Sequence, residues 1–66
     1  MKMEDEQRIY RVKANIRGEE MYLGEDGAFY HKGDKDIIHF TRYQATSIIL
    51  CLNRITKTAD FSREKL

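Results

Sequence analysis

The sequence predicts an α+β fold: a small antiparallel sheet of three to four strands packed against one C-terminal α-helix. Three observations predict it. Residues 8–17 alternate with a period of two. An Asp-Gly pair, Asp26-Gly27, separates two short strand-like runs. The sequence Thr41-Arg42-Tyr43-Gln44 matches a capping box and opens a stretch of helical spacing without Gly or Pro.

The first strand is the clearest. In Arg8–Arg17, Tyr10, Val12, Ala14 and Ile16 fall on one face and Arg11, Lys13, Asn15 and Arg17 on the other, the pattern of a half-buried strand. Gly18 and Glu19 supply a turn. Met21-Tyr22-Leu23 and Ala28-Phe29-Tyr30-His31 then form a hairpin about Gly24-Glu25-Asp26-Gly27, because Asp-Gly tolerates the positive φ of a tight turn. A second turn at Gly33-Asp34-Lys35-Asp36 leads into Asp36-Ile37-Ile38-His39-Phe40, read as a further strand. The helix is expected from about Arg42 to Thr56, with Ala45, Ile48, Ile49, Leu52 and Ile55 as its apolar stripe. Residues 1–7 are expected to fray. Residues 58–66 form a polar tail relieved only by Ala59, Phe61 and Leu66, with the choice between loop, short turn and disorder left open. The expected core is Tyr10, Val12, Ile16, Leu23, Phe29, Ile38, Phe40, Ile48, Leu52 and Ile55.

A chain of 66 residues fits a single domain, 1–66. Apolar residues make up 41% and charged residues 35% at a net charge of +1, which is not the composition of a disordered chain. One cysteine, Cys51, rules out an intrachain disulfide, and there is no paired Cys spacing of a zinc site. No apolar run is long enough to cross a membrane, and the acidic start Met1-Lys2-Met3-Glu4-Asp5-Glu6 is not a signal peptide, so a reducing cytoplasm is expected. An opening Met without a tag is what a whole natural protein would show.

Chemistry-bearing constellations are few. His31, Asp34, Asp36 and His39 lie within nine residues and carry metal-ligating groups, but Asp beside Gly33 is equally a turn residue bonding its own backbone. Cys51 is expected mid-helix at the flank of the apolar stripe, half-buried and without an assured base, as free cysteines usually are. There is no phosphate-binding Gly-rich loop, no H-E-x-x-H and no nucleophile elbow, and so short a chain has trouble forming a ligand-sized concavity. No enzymatic activity, cofactor, metal or membrane is therefore expected.

Charge and the outer helix face say more. Strand one carries Arg8, Arg11, Lys13 and Arg17 with no acid, whereas Glu19–Asp36 carries Glu19, Glu20, Glu25, Asp26, Asp34 and Asp36 against Lys32 and Lys35. At ~100° per residue, Tyr43, Ser47, Leu50 and Arg54 fall opposite the core stripe. Tyr and Arg are favoured at interface hot spots, and an exposed Leu between them suits a protein contact or self-association, unless Phe61 folds back to cover Leu50.

The expectation is a non-enzymatic protein that binds another protein by covering its surface, using Tyr43, Ser47, Leu50 and Arg54 together with Glu25, Asp26, Asp34 and Asp36. In size and lack of catalytic motifs the chain is similar in style to the small accessory proteins of phages and other mobile elements. That likeness implies an inhibitor of a host protein, defence proteins included. The alternative is a small nucleic-acid-binding or regulatory module that uses Arg11, Lys13 and Arg17 on the basic strand, with binding that falls steeply with salt.

Overall fold

The computed structural model describes residues 7–66 and shows the expected α+β fold, a four-stranded antiparallel sheet with one helix. The elements are β1 (Tyr10–Ile16), β2 (Glu19–Leu23), β3 (Phe29–Tyr30), α1 (Arg42–Ile55) and β4 (Ala59–Lys65), and the sheet order is β3-β2-β1-β4. The fraying expected of residues 1–7 falls, except for Gln7, outside the described residues.

Arg17 and Gly18 both have positive φ (55° and 83°), and they join β1 to β2 with Ile16 opposite Glu19. Two central residues of positive φ give the two-residue turn whose twist suits a hairpin. The Asn15 side-chain oxygen accepts from the Gly18 N–H at 3.0 Å and helps fix it. Beyond β2, Gly27 takes the left-handed conformation at φ 85°, as the Asp-Gly pair implies, and Tyr22 and Leu23 face Tyr30 and Phe29.

Two segments depart from expectation. Asp36–Phe40 is not a strand. It makes single bridges, Ile37 to Gly24 and Phe40 to Tyr10, as it crosses from the end of β2 to the start of β1. The fourth strand is instead the polar tail. Residues 59–65 pair with the whole of β1, from Ile16↔Ala59 to Tyr10↔Lys65. Phe61 lies in this ladder opposite Ala14, so it does not cover Leu50, which is 57% exposed.

The helix begins as the sequence says. The Thr41 hydroxyl accepts from the Gln44 N–H at 3.2 Å, and the Gln44 side chain accepts from the Thr41 N–H at 3.0 Å. Its last carbonyls are met by the Thr56 N–H, bonded to Leu52, and by Lys57 Nζ, bonded to the Asn53 carbonyl at 2.8 Å.

α1 packs over β1 and β4. The core there holds Tyr10, Val12, Phe40 and Ala45, with Ile9, Leu23, Ile38, Ile48, Ile49 and Leu52 packed against it. Ile16 and Phe29 are half-buried. Ile55 is not core. It is 79% exposed, as the last residue of α1. Ala14 is fully buried, its small side chain leaving room for Phe61 and Phe29 to approach to 6.1 Å between ring centres.

The second face of the sheet is less polar than the alternation of β1 suggests. Tyr22, opposite Lys13 and Tyr30, is fully buried there. The Arg11 guanidinium lies over its ring, and Glu64 of β4 pairs with that same guanidinium. A tyrosine thus becomes interior on a face with no second layer of secondary structure among the described residues.

Candidate functional site

The acidic hairpin is the best-built feature of the surface. The segment 31–39 arches over the end of the β2–β3 hairpin, tied by the Ile38 N–H to the Leu23 carbonyl at 3.3 Å and by the Gly24–Ile37 bridge. The arch and the hairpin enclose a cleft of about 420 Å³ lined by Glu25, Asp26, Tyr30, Lys35, Asp36 and Ile38. Three of the four acids singled out in the sequence, Glu25, Asp26 and Asp36, therefore converge on one cleft, facing one ammonium. Asp34 stands outside it and shapes the loop instead, accepting from the Asp36 N–H at 2.9 Å.

Asp26 is held on both oxygens. Oδ1 accepts from the Ala28 N–H at 3.0 Å and Oδ2 from the Tyr30 hydroxyl at 2.5 Å. These bonds favour the charged carboxylate. They hold Asp26 below the usual carboxylate range, the Tyr30 bond contributing most, and push the Tyr30 phenol up to about 12. Tyr30 reaches across Gly24 to do this, and no side chain fits beneath it. A Cβ on Gly24 would lie 2.3 Å from Tyr30 Cε2 and 2.8 Å from the Asp36 carbonyl oxygen. Tyr30 and Lys35 are the cleft residues that sequence reasoning missed. The available signal was the placement of Tyr30 four residues beyond Asp26, across a tight turn.

The outer helix face divides. Tyr43 (66% exposed) and Ser47 line a second, more apolar cleft of about 390 Å³ with Phe40, Gln44 and Ile48. Leu50 and Arg54 lie on the exposed helix surface outside that lining. Both clefts are open to solvent, and the arching loop walls the first of them.

The basic strand is largely neutralised by its own fold. Arg11 pairs with Glu64 and stacks 4.5 Å from the Tyr22 ring centre. Lys13 has Glu64 at 3.8 Å and Glu20 at 3.9 Å. Arg8, ahead of β1, and Arg17, at the tip of the β1–β2 turn, are exposed and outside these pairs. The ladder sets Glu20 and Glu64 beside this face, an arrangement invisible while residues 58–66 read as a tail.

The His and Asp constellation does not assemble. Among the described residues no group of three or more His, Cys, Asp and Glu is placed to hold a metal ion. His31 Nδ1 lies 3.2 Å from Glu19, both exposed. Cys51 is exposed rather than half-buried. No helix of the described residues is long and apolar enough to cross a membrane. No family model, curated protein sequence or solved structure matches the chain.

Proposed function

We propose that this chain is a non-enzymatic protein-binding domain whose acidic lobe docks on a basic surface of another protein. The observation that carries the reading is the convergence of Glu25, Asp26 and Asp36 on one cleft, with Asp26 oriented by Tyr30 and Ala28. A carboxylate fixed before binding, as Asp26 is, loses little side-chain entropy on docking, and a negative cluster steers a basic partner. Tyr30 and Ile38 add apolar surface to the lining of the cleft. The likeness in style to the small accessory proteins of mobile elements implies a host protein as the target. The internal pairing of Arg11 and Lys13 weighs against the nucleic-acid alternative, since those charges are already met by Glu64 and Glu20.

The test is capture from a bacterial lysate with the chain as bait, with and without nuclease, using wild type and the double variant Glu25→Lys, Asp36→Lys. The reading expects a protein retained after nuclease by wild type and lost by the variant at unchanged circular dichroism. Recovery of nucleic acid alone, abolished by Lys13→Gln with Arg17→Gln, would reverse the assignment.

A further inference from the structure

We infer that the open edge of β4 is a self-association surface, on which a second copy of this chain pairs antiparallel through its own β4 to form one continuous eight-stranded sheet. This stands apart from the acidic lobe, which adjoins β3 at the opposite edge.

The free edge follows from the ladder. Leu66 donates its N–H to the Ile9 carbonyl at 2.8 Å, so even-numbered residues of β4 turn their backbone groups toward β1. The odd-numbered Ala59, Phe61 and Arg63 turn theirs outward, where no strand lies beside them among the described residues. An edge of this length is normally blunted or covered. β3, the other edge strand, is only two residues long, Phe29–Tyr30.

Charge selects the register of such a pairing. A twofold axis through Ser62 would set Asp60 against Glu64, and one through Arg63 would set Arg63 against itself, like charges face to face in each case. An axis through Phe61 avoids both. It sets Phe61 against Phe61, Ala59 against Arg63 and Asp60 against Ser62, and matches outward-facing amides with outward-facing carbonyls.

The helix supplies the second half of the surface. Arg63 Nη1 donates to the Thr46 hydroxyl at 2.5 Å, which marks the side of α1 that looks toward β4. Leu50 is one turn beyond Thr46 on that side and is 57% exposed. A twofold beside β4 keeps both helices on one face of the joined sheet. Because α1 lies over β1 and β4, the two helices then stand about two strand spacings, or ~10 Å, apart, close to the distance at which helices pack. One axis thus pairs the open edge and covers Leu50. It also leaves the two acidic lobes at the far ends of the assembly, so a dimer would present two docking sites.

Sedimentation of the whole chain over a concentration series tests this. Wild type is expected to form a dimer. Ser62→Asp sets a new carboxylate against Asp60 of the second copy across the axis, while within its own chain it faces Lys13, so it should weaken the dimer about tenfold or more without unfolding. Adding Asp60→Lys to Ser62→Asp restores opposite charges and should restore the dimer. Leu50→Asp should weaken it as well, with circular dichroism unchanged. A wild-type chain that stays monomeric at about 1 mM would overturn the pairing. A dimer indifferent to both Ser62→Asp and its Asp60→Lys partner would overturn it too.

Discussion

The Arg11 guanidinium lies 4.5 Å from the centre of the Tyr22 ring and pairs with Glu64, so three strands contribute to one half-buried contact. Arg11 Nε is buried with no hydrogen-bond partner, and the charge is instead met by the ring face and the carboxylate. Arg11→Ala is expected to cost about 2 kcal/mol, by loss of the cation–π contact, the ion pair and the cover over Tyr22. Arg11→Lys should recover less than half of this, since an ammonium lacks the planar face that stacks on a ring. Urea unfolding measures both. Losses below about 0.5 kcal/mol would place Arg11 among ordinary surface residues.

Gly24→Ala should be among the most damaging small substitutions in the chain. Its Cβ would meet the Tyr30 ring and the Asp36 carbonyl, and the carbonyl belongs to backbone held by the Ile37 bridge. A cost of about 2 kcal/mol is expected from overpacking. The double variant with Tyr30→Ala should not recover wild-type stability, because the Asp36 contact remains. Full recovery would show that the ring alone sets the limit.

Tyr30 and Asp26 carry a pH signature of opposite sign. The folded Tyr30 ionises near 12, above its ordinary value of 10.0, so its bond stabilises the fold fully below about pH 10 and is lost as pH rises toward 12. Asp26 is held below its ordinary 3.8, so its contribution is present above that value and is lost as the carboxylate protonates at lower pH. Phenolate absorbance should show a late tyrosine in wild type, and Asp26→Asn should bring that component back toward 10. Tyr22 also ionises late, chiefly because it is buried, and should be unmoved by Asp26→Asn.

Thr41→Ala removes the acceptor for the Gln44 N–H at the helix start. A loss of about 1 kcal/mol is expected by thermal or urea unfolding. Thr41→Ser should retain most of the stability, as a serine hydroxyl caps as well. Equal losses for both variants would point to the methyl group of Thr41 rather than its hydroxyl.

The features legible in the sequence are those whose energetics close within a few residues. The alternation of Tyr10, Val12 and Ala14, the Asp26-Gly27 turn and the Thr41–Gln44 box each depend on local backbone geometry, and each stands where the sequence put it. The convergence of Glu25, Asp26 and Asp36 was half legible. Their nearness to two turns could be read, but the cleft between them needed the arch of 31–39.

Non-local pairing decided the rest. Residues 59–65 mix four charges with only Ala59 and Phe61 as apolar members, so their own pattern does not announce a strand. They become β4 because β1 offers a row of unpaired backbone groups, and those bonds do not depend on side-chain type. Once β4 is in place, Glu64 reaches Arg11 and Lys13, and the strand that looked like a phosphate-binding face becomes paired. Tyr22 is buried beneath Arg11 and Glu64, whereas Ile55 at the end of α1 is exposed. Periodicity reveals which residues share a face, but only the packed neighbours determine which faces are covered.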